Sequence, residues 1–317
     1  MRAFFLIPPE VQLLDITGPA HLFYEAGEYG AKIETHYLAM DYDTDQEMSS
    51  AGLAIGQLES FLDFNLNEHD LIFIPGLESH LFFAPDFTEK HTSFFKWLRE
   101  QSKNGAKICS VCTGAYVLGY ALLLDGKECT THWKYFEDFG KRFSKAKLLQ
   151  DRLLIKDGNI YSSAGVASGI DLALFILEEL FGSVFASKIA KEVVIYLRRS
   201  PNDPQLSVFL QYRNHIETRI HQVQDLLAQN LEGKSVIEDL AEKVYMSPRN
   251  LTRLFKKTTG ITIGHYLEKL RVEKAVQLLA SGEKVNAVSL ACGLKSTNQL
   301  RSLLKKHTAS LPSELSL

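Results

Sequence analysis

Lys107-Ile108-Cys109-Ser110-Val111-Cys112-Thr113-Gly114-Ala115 reads as a buried strand that turns sharply into a helix, with a cysteine at the turn. Such an elbow presents a nucleophile-type side chain at the end of a parallel strand, and the small Gly114 and Ala115 let the backbone turn closely. The helix N-terminus behind Cys112 predicts a stabilised thiolate. Working outward, residues 3–7, 33–39, 71–74 and 160–163 read as strands, and residues 14–26, 94–102, 114–124 and 170–180 as helices. Strands alternating with helices predict the α/β class, a mostly parallel sheet covered on both faces. The turn Pro75-Gly76-Leu77 is expected to bring backbone N–H groups towards Cys112, and His132 follows twenty residues after it. Asp15 is read either as a cap of the following helix or as a pocket residue.

The chain has 317 residues, 45% hydrophobic and 23% charged, which fits two packed domains and excludes a disordered or collagen-like chain. No apolar run is long enough for a bilayer, and Pro8-Pro9-Glu10 interrupts any leader-like start, so a cytoplasmic protein without a membrane role is expected. Four cysteines make no disulfide framework. Cys109 and Cys112 have C-x-x-C spacing but no second pair, so no metal and no cofactor is expected.

The net charge of −3 conceals an asymmetry. Residues 1–204 carry 19 Lys/Arg against 28 Asp/Glu, and residues 205–317 carry 16 against 10. An acidic part thus precedes a basic one, and only the second is suited to a polyanion. Two prolines in the polar stretch Arg198-Arg199-Ser200-Pro201-Asn202-Asp203-Pro204 mark a boundary. The expected division is a first domain over 1–198, a linker over 199–214 and an all-helical domain over 215–317.

The basic part contains a repeat. Leu240-Ala241-Glu242-Lys243-Val244-Tyr245-Met246-Ser247-Pro248-Arg249-Asn250-Leu251 is echoed by Val288-Ser289-Leu290-Ala291-Cys292-Gly293-Leu294-Lys295-Ser296-Thr297-Asn298-Gln299-Leu300. Each copy reads as a short helix, a tight turn and a second helix whose buried stripe repeats, Leu251, Leu254, Phe255 and then Leu300, Leu303, Leu304. Ser247 with Pro248 fits a helix cap, and Ser296 with Gln299 a capping box. A helix-turn-helix lays its second helix in the major groove of double-stranded DNA. The polar faces offer Arg249, Asn250, Thr252 and Arg253 in one copy, and Thr297, Asn298, Gln299, Arg301 and Ser302 in the other. Arginine suits guanine, and asparagine or glutamine suits adenine. Lys256, Lys257, Lys305 and Lys306 are placed for phosphates.

On "DLAEKVYMSPRNLTRLFKKTTG" and "SLACGLKSTNQLRSLLKKH", residues 215–317 resemble the DNA-binding domain of AraC/XylS-type transcription regulators. The resemblance implies two helix-turn-helix units joined by a long helix, here about 263–279, with base readers at Arg249, Thr252, Arg253, Asn298 and Gln299. The second unit departs from the pattern: Leu294 and Leu304 stand where phenylalanine is usual, which predicts looser packing and weaker reading of one half-site. On "LLDITGPAHLFYEAG", "LIFIPGL", "VCTGAYVLGYALLLDGKECTTHW" and "YSSAGVASGIDLALFILEELFG", the first domain resembles the DJ-1/PfpI, class I glutamine amidotransferase-like fold, a flavodoxin-like parallel sheet sandwich.

By that resemblance Cys112 takes the elbow position, His132 the partner position, and Asp15 that of an acidic residue near the cysteine of related hydratases. Gly76, Leu77 and Thr113 complete the expected effector pocket. Thr113 replaces the histidine of protease-type members, and Leu77 stands where a second glycine is common. Regulators of this kind generally sense a small nitrogen-containing metabolite without turning it over, arginine and quaternary ammonium compounds among them. The expected function is therefore a non-enzymatic, sequence-specific transcription regulator, an activator acting as a homodimer with RNA polymerase as partner. The alternatives are a cysteine hydrolase or hydratase fused to a DNA-binding module, and a redox sensor acting through Cys112.

Overall fold

The computed structural model describes residues 1–150, 152–195, 205, 207–213, 215–233, 236–308 and 311–315. The chain falls into two units, Met1–Gln205 and Leu206–Leu317. In the first, strands β1 (Arg2–Ile7), β2 (Glu34–Ala39), β3 (Glu59–Ser60), β4 (Leu71–Ile74), β5 (Lys107–Val111), β6 (Leu154–Asp157) and β7 (Ile160–Ser163) form one sheet, in the order β6-β7-β5-β4-β1-β2-β3. Neighbours are parallel except β6 and β7, which pair antiparallel at the edge. The continuous apolar run of β4 is buried at all four residues, as a strand covered on both faces requires. In register, Ile108 of β5 lies between Ile72 of β4 and Ile160 of β7.

Helices α1 (Leu13–Glu28), α2 (Thr92–Lys103), α3 (Gly114–Tyr120), α4 (Ser168–Phe181) and α5 (Ser183–Glu192) flank the sheet. The two-residue period of the strands sorts the side chains between two cores. Phe5, Ile7, Phe73 and Val111 join Ile16 and Phe23 of α1, Leu172 and Ile176 of α4 and Ile189 of α5. Phe4, Leu6, Ile72, Ile74 and Ile108 join Phe94 and Leu98 of α2 and Tyr116 and Val117 of α3 on the other face. The helix expected over 114–124 ends at Tyr120, because Leu122 adopts a left-handed φ of 56° that no α-helix can carry. Helix α1 begins before Asp15, so that residue sits inside the first turn rather than at the cap.

The described residues of the second unit form helices only: α6 (Val208–Tyr212), α7 (Thr218–Gln229), α8 (Ile237–Lys243), α9 (Pro248–Thr259), α10 (Ile263–Ala280), α11 (Val285–Ala291), α12 (Thr297–Thr308) and α13 (Pro312–Leu315). Of the stretch 199–214 expected as a linker, α6 is helical and Val208 packs into a core with Ile220, Val223, Leu251 and Tyr266; residues 199–204, 206 and 214 lie outside the described ones. The long helix α10 serves both helix-turn-helix units. Its first half gives Ile263, Tyr266 and Leu270 to the first core, and its second half gives Val272, Ala275 and Leu279 to the second. Phe255 and Tyr266 meet edge to face in the first core, whereas the buried residues of the second are aliphatic or cysteine, with Leu294, Leu300 and Leu304 all buried.

Both helix-turn-helix turns need one residue with positive φ: Tyr245 at 54° in the first and Gly293 at 65° in the second. Glycine adopts this conformation freely, and a side chain there costs about 1 kcal/mol. Gly293 has a further reason to be glycine, since a Cβ there would stand 2.3 Å from the Leu231 carbonyl oxygen. The Tyr245 side chain is 96% exposed. Tyr245→Gly is therefore expected to leave stability unchanged or raise it by up to about 1 kcal/mol, and Gly293→Ala to lower it by about 2 kcal/mol or more. Urea unfolding of the full chain compares the two, and equal effects would refute the assignment of the close approach to Gly293 alone.

Candidate effector site and nucleic-acid interface

Cys112 stands between β5 and α3 with φ 57°, a left-handed conformation for a residue with a side chain. The backbone is held there by close packing: a Cβ on Gly114 would lie 2.1 Å from the Ile74 carbonyl oxygen, so no larger residue fits behind the elbow. Thr131 Oγ1 donates to the Cys112 carbonyl at 3.0 Å and fixes the turn from the other side.

Five of the sequence-predicted pocket residues, Asp15, Gly76, Leu77, Cys112 and Thr113, come together. Asp15 Oδ2 accepts the Gly76 N–H at 2.8 Å, and Thr113 Oγ1 accepts the Leu77 N–H at 3.2 Å. A Cβ at Gly76 would fall 2.7 Å from Asp15 Oδ2 and 3.3 Å from the Cys112 Cβ, so glycine lets acid, thiol and turn share one point. The turn brings these two N–H groups to the elbow, and both are already bonded, so neither is free for an oxyanion. It also removes the capping reading of Asp15, whose carboxylate reaches across to another segment.

The electrostatics overturn the thiolate expectation. Burial pushes the Cys112 thiol up to about 12, helped by the neighbouring Asp15 charge and only partly opposed by the N–H groups of Thr113 and Val166. Helix α3 has seven residues, and its end cannot outweigh that desolvation. Burial likewise raises Asp15 to about 6, against the pull of the Gly76 N–H and the Cys112 thiol. The other oxygen, Oδ1, is buried and accepts no hydrogen bond of normal geometry. Cys109 is in the core of β5, its thiol pushed up by burial.

His132 is half-buried and Trp133 is 49% exposed. The His132 Nδ1 accepts the Lys134 N–H at 3.3 Å, and the edge of its ring lies where a Cβ of Gly165 would be, 2.6 Å from Cδ2. Burial and then the Lys134 charge hold its pKa below the ordinary histidine range. Among the described residues no hydrogen bond joins His132 to Cys112, so no nucleophile–base pair is assembled. A groove of about 600 Å³ elsewhere, between Leu14, His21 and Tyr24 of α1, Tyr37, Ile170 and Val193, includes none of these residues. Sequence reasoning missed Gln205. From the end of the first unit its Nε2 donates to Thr130 Oγ1 and to the Thr131 carbonyl, both at 2.9 Å. Thr131 is the residue that holds Cys112.

In the second unit, Ser247 caps α9 by accepting the Asn250 N–H at 3.4 Å, and α9 ends at Gly260, φ 81°. Arg249, Asn250, Arg253, Lys256 and Lys257 are exposed on α9. Thr252 turns its hydroxyl to the carbonyls of Pro248 and Arg249, both at 3.0 Å. Arg219 of α7, not singled out from sequence, joins Asn250, Arg253 and Lys257 around a groove of about 530 Å³. In the second helix-turn-helix Ser296 caps α12, its Oγ accepting the Gln299 N–H at 3.3 Å, while Gln299 Oε1 accepts the N–H of Lys295, one residue before the cap, at 2.9 Å, so the reciprocal bond of a capping box is shifted by one residue. Gln299 thus already holds the cap. Asn298, Arg301, Ser302 and Lys305 are exposed and Thr297 half-buried, with Asn298 Oδ1 accepting from Arg301 at 3.1 Å. Lys306 is bound to Glu268 at 2.7 Å rather than free for phosphate. Among the described residues no helix is long and apolar enough to cross a membrane.

Comparison with known proteins agrees with both halves. The DJ-1/PfpI family model matches residues 1–179, and a helix-turn-helix domain model matches residues 240–316. The HTH-type transcriptional regulator CdhR of Pseudomonas aeruginosa is 27% identical over 316 residues, covering 98% of this chain and 90% of the relative. An isonitrile hydratase of Pseudomonas putida is 34% identical over 178 residues, 56% of this chain and 71% of that enzyme. The crystal structure of an AraC family transcriptional regulator from Pseudomonas putida superposes with a TM-score of 0.53 at 19% identity, covering 61% of this chain and 98% of that one.

Proposed function

We propose, from the premise that this chain belongs to the DJ-1/PfpI family and carries a helix-turn-helix domain behind it, that it is a sequence-specific DNA-binding transcription regulator governed by a small effector. The observation that carries this reading is the duplicated, capped helix-turn-helix with exposed Arg249, Asn250 and Arg253 on its first reading helix. A relative that spans nearly the whole chain and is named as a regulator supports it.

The first unit senses rather than catalyses. Cys112 is buried and protonated, and no base is bonded to it. The effector is a small nitrogen-containing metabolite whose N–H or cationic group meets Asp15, where one buried carboxylate oxygen accepts no hydrogen bond of normal geometry. Entry is on the side of Trp133, which is 49% exposed and packs beside His132, the residue after Thr131. The response leaves the first unit through Thr131 and Gln205, since the chain passes from Gln205 into the second unit. A homodimer offers its reading helices to paired half-sites, activating transcription through contact with RNA polymerase.

The test is binding of labelled promoter fragments at fixed salt, with and without arginine or glycine betaine. Arg253→Ala is expected to cost about 10- to 100-fold in specific affinity, and Lys257→Gln to weaken all sequences alike and lower the salt slope by about one. Gln205→Ala is expected to keep DNA affinity and lose the effector response. Sequence-blind binding untouched by Arg253→Ala would end the regulator reading.

A further inference from the structure

The sequence expectation of no metal holds no place for three residues that folding brings together in the second unit. His265 and Glu268 lie one turn apart near the start of α10, and His307 lies in the last turn of α12. Glu268 Oε2 is 3.8 Å from His265 Nδ1 and 3.2 Å from His307 Nε2. The two imidazole rings lie with centroids 5.4 Å apart, tilted by 36°. One donor atom from each residue lies within 4.8 Å of the other two. Tetrahedral ligands around a zinc-sized ion, bound at about 2.0–2.1 Å, stand about 3.4 Å apart. His265 and Glu268, each 39% exposed, have room to adjust towards that spacing, and His307 is held by packing at 11%.

We propose that His265, Glu268 and His307 form a binding site for a divalent transition-metal ion of the zinc type, which pins the start of α10 to the end of α12 and releases Lys306. Two imidazoles and one carboxylate suit a borderline ion with water as fourth ligand, whereas calcium and magnesium require mainly oxygen ligands. The site sits where a cross-link matters. Helix α10 joins the two helix-turn-helix units, and α12 is the reading helix of the unit whose core has no buried aromatic among the described residues. Lys306 holds the same Glu268 oxygen at 2.7 Å through a side chain that is 58% exposed. An ion on that oxygen repels the ammonium, which then becomes available to a DNA phosphate. This last step rests on the DNA-binding reading above; the site itself does not.

Full-length protein stripped of metal is titrated with zinc against a chromophoric chelator, and with cobalt for its visible spectrum. One ion should bind per chain with a dissociation constant of about 10 µM or tighter, through nitrogen and oxygen without sulfur-to-cobalt charge transfer. His265→Ala and Glu268→Gln, both at partly exposed positions, should each weaken binding about tenfold or more. Absence of binding at 100-fold higher zinc, or binding that neither substitution changes, overturns the site. In a second arm, zinc should steepen the salt dependence of DNA binding by about one phosphate contact, a change lost in Lys306→Gln. An unchanged slope with zinc bound overturns the release of Lys306. Loss of all DNA binding with zinc binding intact counts against the regulator reading and leaves the metal site standing.

Discussion

Cys112 is expected to react with iodoacetamide at pH 7 at least about a hundredfold more slowly than a free cysteine. With its thiol near 12, the thiolate fraction at pH 7 is about three and a half orders of magnitude below that of an ordinary thiol near 8.5. The more basic thiolate is the better nucleophile, which returns about one and a half of those orders. Burial takes some away again, because the residue is 6% exposed and an electrophile must first open the pocket. Asp15→Asn should speed labelling, since it removes the neighbouring negative charge that raises the thiol. The experiment separates the sensor from the alternatives. A hydratase or hydrolase using Cys112, or a peroxide sensor, needs an accessible, readily ionised sulfur. Labelling of the folded protein at the rate of free cysteine, located by mass spectrometry of the Cys112 peptide, would refute the inert, buried thiol and restore the enzyme and redox-sensor alternatives.

That prediction runs against the sequence expectation for the same residue, and the reason is physical. The elbow was legible because its cause is local: an apolar run, a cysteine and two small residues in succession. Strands Leu71–Ile74, Lys107–Val111 and Ile160–Ser163 were legible for the same reason, each being a buried run with a marked end. The thiol's state is not local. It depends on Asp15, almost a hundred residues earlier, and on burial by several elements. The N–H groups of Gly76 and Leu77 were placed near the site from sequence, but their occupation by Asp15 and Thr113 was invisible.

The same division holds in the second unit. Caps at Ser247 and Ser296 follow from spacing within four residues, and both form. The pairing of Glu268 with Lys306 and His307 joins two helices across about forty residues, and no helical period announces it. Tyr245 hid its left-handed backbone because only the duplicate, with Gly293 at the equivalent place, marks that position as a turn. The edge strand Leu154–Asp157 also escaped, since its polar Lys156 and Asp157 lie at a sheet margin where apolar patterning is weak.

Asp15 should make the stability of the first unit fall as pH rises from about 4 to about 6. The folded protein holds the Asp15 proton up to about 6, whereas the unfolded chain releases it near 3.8. Between these values the native state binds more protons, so stability decreases with pH and levels off above the folded value. A shift of that size corresponds to about 3 kcal/mol of destabilisation at pH 7. Asp15→Asn keeps an oxygen for the Gly76 N–H but has no charge to bury, so its stability should lack this slope and exceed that of the parent at pH 7. Guanidinium unfolding at pH 4, 5, 6 and 7 measures both, and parallel curves for parent and variant would refute the buried, ionised Asp15. The cost also bears on function. A carboxylate kept charged and under-bonded at neutral pH is a reserve of binding energy that a cationic or N–H-bearing effector can release. Such an effector should therefore stabilise the parent more at pH 7 than at pH 5, and should lose that difference with Asp15→Asn.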